Sequence, residues 1–466
     1  MAILNLGSAL TLLTSLGIAY ILASTLYQWQ RLRHIPGPPI ASFSYAWLVY
    51  CGYTATRARG WYDGARFHPG HDTMFTTIDP ARHDRLKARL AHGYSGRETP
   101  GLEEAIDEQV AHLVDLLRRK YVFDPKTAGG TTTMLPLDLS KVFPLFTLDT
   151  IARIALDKEF GCLEADRDVK EFYHVVEEFI PLLNVFADVP WVRKIVYSPL
   201  MIKLFGSEPT DKSGLGLAMK MVNEETARKY NSDNTQSGDI MTSFRRHGIT
   251  QEECQTEALF MFVAGSETTA TAMRIVLYYL TSTPRAYHAL KKEIRQAIVD
   301  GRASSPITDR EARGLPYLQA VIYEGMRIRP VATGTFGKVV PPGGDTINGY
   351  WVPGGTSVGP NQPSVMRSKA LWGPDADLFR PERFIEVDEV RRAEMQRIVD
   401  VNFGYGRWMC AGKAIALLEL NKAIFELLRE FDFQVLDPKS GFKGRSHGSW
   451  IDHGMYVGVM NTDMFG

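Results

Sequence analysis

Phe403-Gly404-Tyr405-Gly406-Arg407-Trp408-Met409-Cys410-Ala411-Gly412 is a glycine-punctuated loop that runs into a helical pattern over residues 411–430. It places the Cys410 thiol at the N-terminal end of that helix. Unpaired amides and the helix dipole favour negative charge there, so the expectation is a lowered thiol pKa and a sulfur able to bind a soft metal. Gly406 permits a tight turn, and Gly412 lets the helix approach whatever the sulfur holds. A buried structural cysteine would also satisfy the loop taken alone. Three distant segments supply the other parts of a site.

The first is Ala264-Gly265-Ser266-Glu267-Thr268-Thr269, in the middle of the longest helical pattern, residues 251–282. Thr250-Gln251-Glu252-Glu253 reads as a capping box, and Pro284 stands just beyond the far end. At 1.5 Å per residue such a helix spans roughly 48 Å, enough to cross a domain. It is apolar nearly all round at 258–263 and 275–280, the mark of a helix inside a core. Glycine costs about 1 kcal/mol in a helix interior, a buried acid costs more, and a threonine can bond back to the carbonyl four residues earlier. The segment reads as a kinked core helix with self-satisfied threonines, or as a local opening. In the second reading a hydroxyl and an acid flank a small ligand, as proton delivery requires.

The second segment, Glu324-Gly325-Met326-Arg327, sets opposite charges on one face of a helix over 315–328. Leu315, Leu318, Val321 and Ile322 embed that helix, so a further polar partner is needed. The third segment, Pro381-Glu382-Arg383-Phe384, offers Arg383 as that partner.

In this order the four segments, Ala264-Gly265-x-Glu267-Thr268-Thr269, Glu324-x-x-Arg327, Phe379-x-Pro381-Glu382-Arg383-Phe384 and Phe403-x-x-Gly406-x-x-x-Cys410-x-Gly412, resemble the cytochrome P-450 family of haem-thiolate monooxygenases, specifically its membrane-anchored fungal members. The resemblance implies a mainly α (α+β) haem-thiolate fold with a long central helix and a small, shortened β region. It implies haem b (iron protoporphyrin IX) ligated by Cys410, whose thiolate favours O–O cleavage. Phe403 would shield the sulfur, with Gly406, Arg407 and Gly412 in the cofactor loop. Thr268 would hydrogen-bond the iron-bound oxygen species, with Glu267 in the proton relay and Ala264 and Gly265 bordering the cofactor. Glu324, Arg327 and Arg383 resemble the family's structural triad. His83, Lys87 and Lys338 resemble its contacts to the haem propionates. Val331, Ala332, Thr333, Gly334 and Thr335, with Ser449 and Trp450, resemble pocket-lining positions, joined by Ala264 and Thr268. Departures are that Arg407 stands three residues before the cysteine where the usual arginine stands two before, that Lys87 and Lys338 replace arginines, and that the stretch from Pro39 to His83 is short.

Bulk composition narrows the partners. Lys plus Arg equals Asp plus Glu at 53 each in 466 residues, so no net field points to nucleic acid. Cys51, Cys162, Cys254 and Cys410 are widely spaced, without the pairing of a zinc site or a disulfide framework. Residues 2–28 carry no charge and are rich in Leu, Ile and Ala, long enough for a membrane helix of ~20 residues. Arg31, Arg33 and His34 follow, which orients the body to the cytoplasm. The organisation expected is an anchor at 1–30, a Pro-rich hinge at 31–40 and a catalytic domain at 41–466 with 41–80 shortened. The setting implied is a single-pass protein of the endoplasmic reticulum membrane in contact with lipid.

The activity implied is insertion of one oxygen atom from O2 into an apolar secondary metabolite such as a terpenoid, polyketide or alkaloid intermediate. Electrons would come from NADPH through a reductase or a cytochrome b-type donor, docked on a basic patch of Arg82, Arg85, Lys87, Arg89, Arg407 and Lys413. Two other readings stand beside it: a reductase-independent haem-thiolate isomerase or dehydratase, against which Thr268 argues, and a truncated relic without catalysis.

Overall fold

Thr250 starts the element that organises the molecule. Its hydroxyl accepts from the Glu253 amide at 3.2 Å, and the Glu253 carboxylate accepts from the Thr250 amide at 2.9 Å, closing the expected capping box. The helix so begun is Gln251–Thr281, and most of its residues from Ala258 to Leu280 are buried. The computed structural model describes residues 62–462 except 63, 68–70, 124–133, 170, 208, 212–213, 233–237, 335 and 440, together with positions 11, 14–20, 22–24, 26, 27, 30 and 31.

Other helices cage the long one. Helix Leu139–Leu156, buried along almost its whole length, lies against it. The two meet at Gly265, where a Cβ would sit 3.2 Å from the Ile151 side chain, and Thr147 Oγ1 donates to the Ser266 carbonyl at 2.6 Å. Helix Pro316–Ile328 approaches another side through Gly325, where a Cβ would come within 2.5 Å of Val276. Helices Gly214–Tyr230 and Lys413–Glu430 complete the enclosure. Gly265 is small where two helices touch. The segment 264–269 is continuous α-helix, and Thr268 Oγ1 bonds back to the Ala264 carbonyl at 2.7 Å within it.

The sheet content is small, as expected. Leu137–Asp138, Tyr456–Asn461 and Phe431–Val435 form a three-stranded antiparallel sheet in that spatial order. Hairpins Asp345–Ile347 with Tyr350–Val352 and Lys443–Ser446 with Trp450–His453 stand apart from it, as does the pair Lys338–Val339 with Ser357–Val358.

Among the described residues no helix is long and apolar enough to cross a membrane. The expected anchor and hinge, and much of the shortened stretch 41–80, lie outside the described residues, although positions 14–20 are helical. Residue 335 of the expected pocket strand also lies outside them.

Candidate functional site

Gly404 and Gly406 adopt positive φ values of 76° and 60°, which turn the chain twice within three residues. The Cys410 amide then donates to the Phe403 carbonyl at 2.7 Å, pinning the cysteine across the loop just ahead of helix Lys413–Glu430. A Cβ at Gly412 would lie 3.9 Å from the sulfur. The amides of Gly412 and Lys413 and the charges of Lys87 and Lys413 pull the thiol pKa down, as the sequence suggested. Burial nevertheless wins and leaves it raised. The expectation of a net fall is thus corrected, because desolvating a lone thiolate costs more than these dipoles return. Cys410 is exposed, although protein crowds its sulfur.

A second accessible strip interrupts the buried long helix. Thr268 is exposed and Ala264 and Gly265 partly so, between buried Val263, Ser266, Glu267, Thr269 and Ala270. Helix Pro80–Tyr94 links this helix to the cysteine loop. At one point Lys87 Nζ donates to the carbonyls of Arg407 and Met409, each at 2.7 Å. At its end the Tyr94 hydroxyl donates to Glu257 at 3.5 Å, and the charges of both Glu257 and Cys410 act on that phenol. Glu257 lies seven and eleven residues before Ala264 and Thr268, hence on the same helix face.

The expected propionate contacts gather round Trp408, the residue that stands two before the cysteine. The His83 ring lies 4.2 Å from the indole and the Lys338 ammonium 4.5 Å from it. His83 is buried, and burial holds its pKa below the ordinary histidine value. Lys338 remains accessible along its length, but protein crowds its ammonium and burial pushes its pKa down to about 8. No carboxylate among the described residues offsets that. Trp408 was not singled out from the sequence; its signal was the displacement of Arg407 to the neighbouring position.

The predicted basic patch is largely neutralised. Arg82 pairs with Asp72 at 2.8 Å, Arg89 with Glu253 at 3.6 Å, Arg407 with Asp84 at 3.0 Å and Lys413 with Asp400 at 2.7 Å. Four of the six cations thus sit against a carboxylate. Sequence counting misses such pairs because the acids come from other turns and other segments.

Glu324, Arg327 and Arg383 meet. Arg327 grips Glu324 through two bonds of 2.7 and 2.8 Å, and Arg383 Nε reaches Glu324 at 3.1 Å. Arg327 also donates to the carbonyls of Met366, Ala376 and Leu378, and Arg383 to that of Trp372. This buried triad ties helix Pro316–Ile328 to the chain at 366–383.

Residues 331–334 run beside the hairpin turn at 446–450: the Thr333 amide donates to the Gly448 carbonyl at 2.9 Å and its hydroxyl meets Ser446 at 2.6 Å. Thr333 is buried, Val331 and Ala332 partly so, and Trp450 Nε1 donates to the Pro330 carbonyl at 2.9 Å. An ionic network unforeseen in the sequence crosses this region, joining Glu267, Arg274, Asp452 and Arg329. Arg274, a lone charge in an apolar run, was its available signal. Elsewhere His92, Glu98 and His247 could approach one metal ion, but their imidazoles stack in parallel at 4.2 Å and Arg246 also pairs with Glu98.

An exposed cysteine with amides directed at its thiol, a helix face bearing an accessible hydroxyl, and a crowded but accessible ammonium without a counter-charge suit a flat iron porphyrin carrying carboxylates. These features define the class of haem-thiolate proteins. The family model for cytochrome P450 matches residues 47–446. Cytochrome P450 monooxygenase aba1 of Botryotinia fuckeliana is 40% identical over 93% of this chain and 92% of its own length. Cytochrome P450 monooxygenase ABA1 of Pyricularia oryzae is 37% identical over 96% and 95%. Pisatin demethylase of Fusarium vanettenii is 30% identical over 79% and 69%. The chain belongs to the cytochrome P450 family and is an enzyme of its monooxygenase group. The family uses haem and dioxygen.

Proposed function

We propose that this enzyme is a fungal haem-thiolate monooxygenase that inserts one oxygen atom from O2 into a C–H bond or alkene of an apolar secondary metabolite, with electrons passed from NADPH by a separate reductase. One observation carries the reading: two accessible patches, Cys410 on its loop and the Ala264–Thr268 strip on the otherwise buried long helix, are linked through helix Pro80–Tyr94. Haem b, when bound, supplies oxygen activation that thiolate donation promotes.

The chain's own residues do the rest. Cys410 would ligate the iron, with the Gly412 and Lys413 amides and Phe403 controlling its donor strength. His83, Lys87, Lys338 and Arg407 would receive the propionates, His83 and Lys338 from beside Trp408. Thr268 presents a hydroxyl beside the reacting centre, and Glu267, held by Arg274, serves proton delivery from the next position. Glu324, Arg327 and Arg383 keep the frame. Phe67, Phe172, Val176, Phe179, Leu259 and Val263 form an apolar wall, closely packed and too tight to hold a metabolite, next to the accessible strip of the long helix, and that apolar character supports an apolar substrate.

A membrane setting with the body at the endoplasmic reticulum surface is supported by exposed Trp191, Ile195, Leu200 and Leu204 on helices Pro190–Val196 and Pro199–Phe205, interleaved with Arg193, Lys194 and Lys203. The 1–30 anchor, 31–40 hinge and 41–466 body belong to this reading. The reductase or cytochrome b-type donor docks near Arg85 and the cysteine loop.

The dithionite-reduced, carbon monoxide-bound spectrum tests the core of it. A red-shifted Soret band is expected, and its absence from folded protein would instead favour a relic. Product formation that requires both reductase and NADPH excludes the isomerase. Thr268→Ala should keep the spectrum and shift NADPH consumption from product to hydrogen peroxide; unchanged coupling would remove Thr268 from the role.

A further inference from the structure

Three buried polar atoms without a hydrogen-bond partner sit on side chains that converge: Glu267 Oε2, Arg274 Nη1 and Tyr173 Oη. The side chains of Glu267 and Arg274 are 2% and 0% exposed. Their other atoms are committed. Arg274 Nη2 donates to Glu267 Oε1 at 2.5 Å, to Thr271 Oγ1 at 2.7 Å and to the Trp450 carbonyl at 2.9 Å, and its Nε to Asp452 at 3.0 Å. Asp452 is gripped in turn by Arg329 at 2.9 and 2.6 Å, in space that Gly444 leaves free, since a Cβ there would fall 2.3 Å from both partners. With their other atoms committed, Glu267 Oε2 and Arg274 Nη1 are left unpaired in this arrangement, and orphaned buried polar atoms call for a missing partner.

Tyr173 enters from helix Phe172–Asp188; the pKa of its phenol is raised by burial, and the phenol lies near enough to Glu267 and Glu177 for both carboxylates to act on it, although no direct hydrogen bond of good geometry forms. Glu177, one turn further along, is half-buried and also feels exposed His453. We propose that Glu267 Oε2, Arg274 Nη1 and Tyr173 Oη jointly hold one water molecule, and that Tyr173 and Glu177 pass protons from solvent through it to Glu267 beside Thr268. The polarity matches: such a water accepts from Arg274 and Tyr173 and donates to Glu267. Glu267 takes a proton at Oε2 and, on rotating, yields it to the accessible side of the helix. The water regains one from Tyr173, Tyr173 from Glu177 and Glu177 from solvent. No electrons move, and each group ends as it began. Tyr173 and Glu177 are positioning residues here.

The proton role rests on the monooxygenase reading; the water does not. A crystal structure of the holoenzyme should show one water within about 2.7–3.2 Å of all three atoms. No density there, or direct pairing among the three atoms, overturns the site. Tyr173→Phe should lose that water, and with reductase and NADPH should raise hydrogen peroxide released per NADPH at least twofold and enlarge the D2O effect on NADPH oxidation. Glu177→Gln, at a half-buried position, repeats the test if Tyr173→Phe fails to give the carbon monoxide spectrum. An unchanged peroxide ratio and isotope effect in folded variants overturn the proton path. Failure of the parent to oxidise NADPH overturns the function and the path together, while the water is still decided by density.

Discussion

Lys338 concentrates the case for an anionic partner in one side chain. Burial lowers its pKa to about 8, so between that value and the ordinary lysine range the folded chain binds fewer protons than the unfolded chain. Stability therefore rises with pH across that window, and the burden of the buried charge is greatest below pH 8. Lys338→Met should raise the urea midpoint of haem-free protein at pH 7 more than at pH 10, and should speed haem loss from the holoenzyme. A haem dissociation rate equal to the parent's would remove Lys338 from cofactor contact. Cys410→Ser should abolish the thiolate-type carbon monoxide spectrum while far-ultraviolet helicity stays. Retention of that spectrum would assign the axial ligand elsewhere.

Two glycines on helix contacts distinguish what a helix tolerates. At Gly265 an added methyl meets only the Ile151 side chain at 3.2 Å, which can turn aside, and alanine favours the helix by about 1 kcal/mol. At Gly325 it meets Val276 at 2.5 Å from Cγ2 and 3.1 Å from Cα, where backbone must move. Gly265→Ala should leave the melting temperature near that of the parent, whereas Gly325→Ala should cost about 1–3 kcal/mol by thermal denaturation. Equal effects would show that helix spacing is not set at Gly325. Most elements near the site were legible because their periodicity is local: 251–282, 315–328 and 411–430 appear as Gln251–Thr281, Pro316–Ile328 and Lys413–Glu430. The hairpin Lys443–Ser446 with Trp450–His453 was not, since its short, largely polar strands lack an alternating pattern and gain their place through Arg329, Arg274 and Asp452.

Glu257 connects the whole molecule's pH response to its frame. It is buried on the long helix, accepts from the Met74 amide at 2.9 Å and from Tyr94, and burial pushes its pKa up to about 7. A raised acid pKa means the folded chain holds a proton that the unfolded chain releases above the ordinary glutamate value, so this group's support is full in acid and fades as pH climbs through 7. Glu257→Gln should thus gain on the parent between pH 5 and pH 8, by on the order of 2 kcal/mol in urea unfolding. A difference independent of pH would show that Glu257 titrates normally.

Four short motifs in chain order determined the family and pointed to Cys410, Thr268 and the Glu324–Arg327–Arg383 group, because each motif is local and its chemistry travels with its residue types. Tertiary structure decided what depends on enclosure and on residues far apart in the chain. It set the net rise of the Cys410 pKa, the neutralised arginines of the expected basic face, and the helix contact behind Gly265. It also brought Arg274 and Asp452 together across 178 residues. Desolvation and Coulomb attraction depend on distances in space, and separation along the chain does not report those distances.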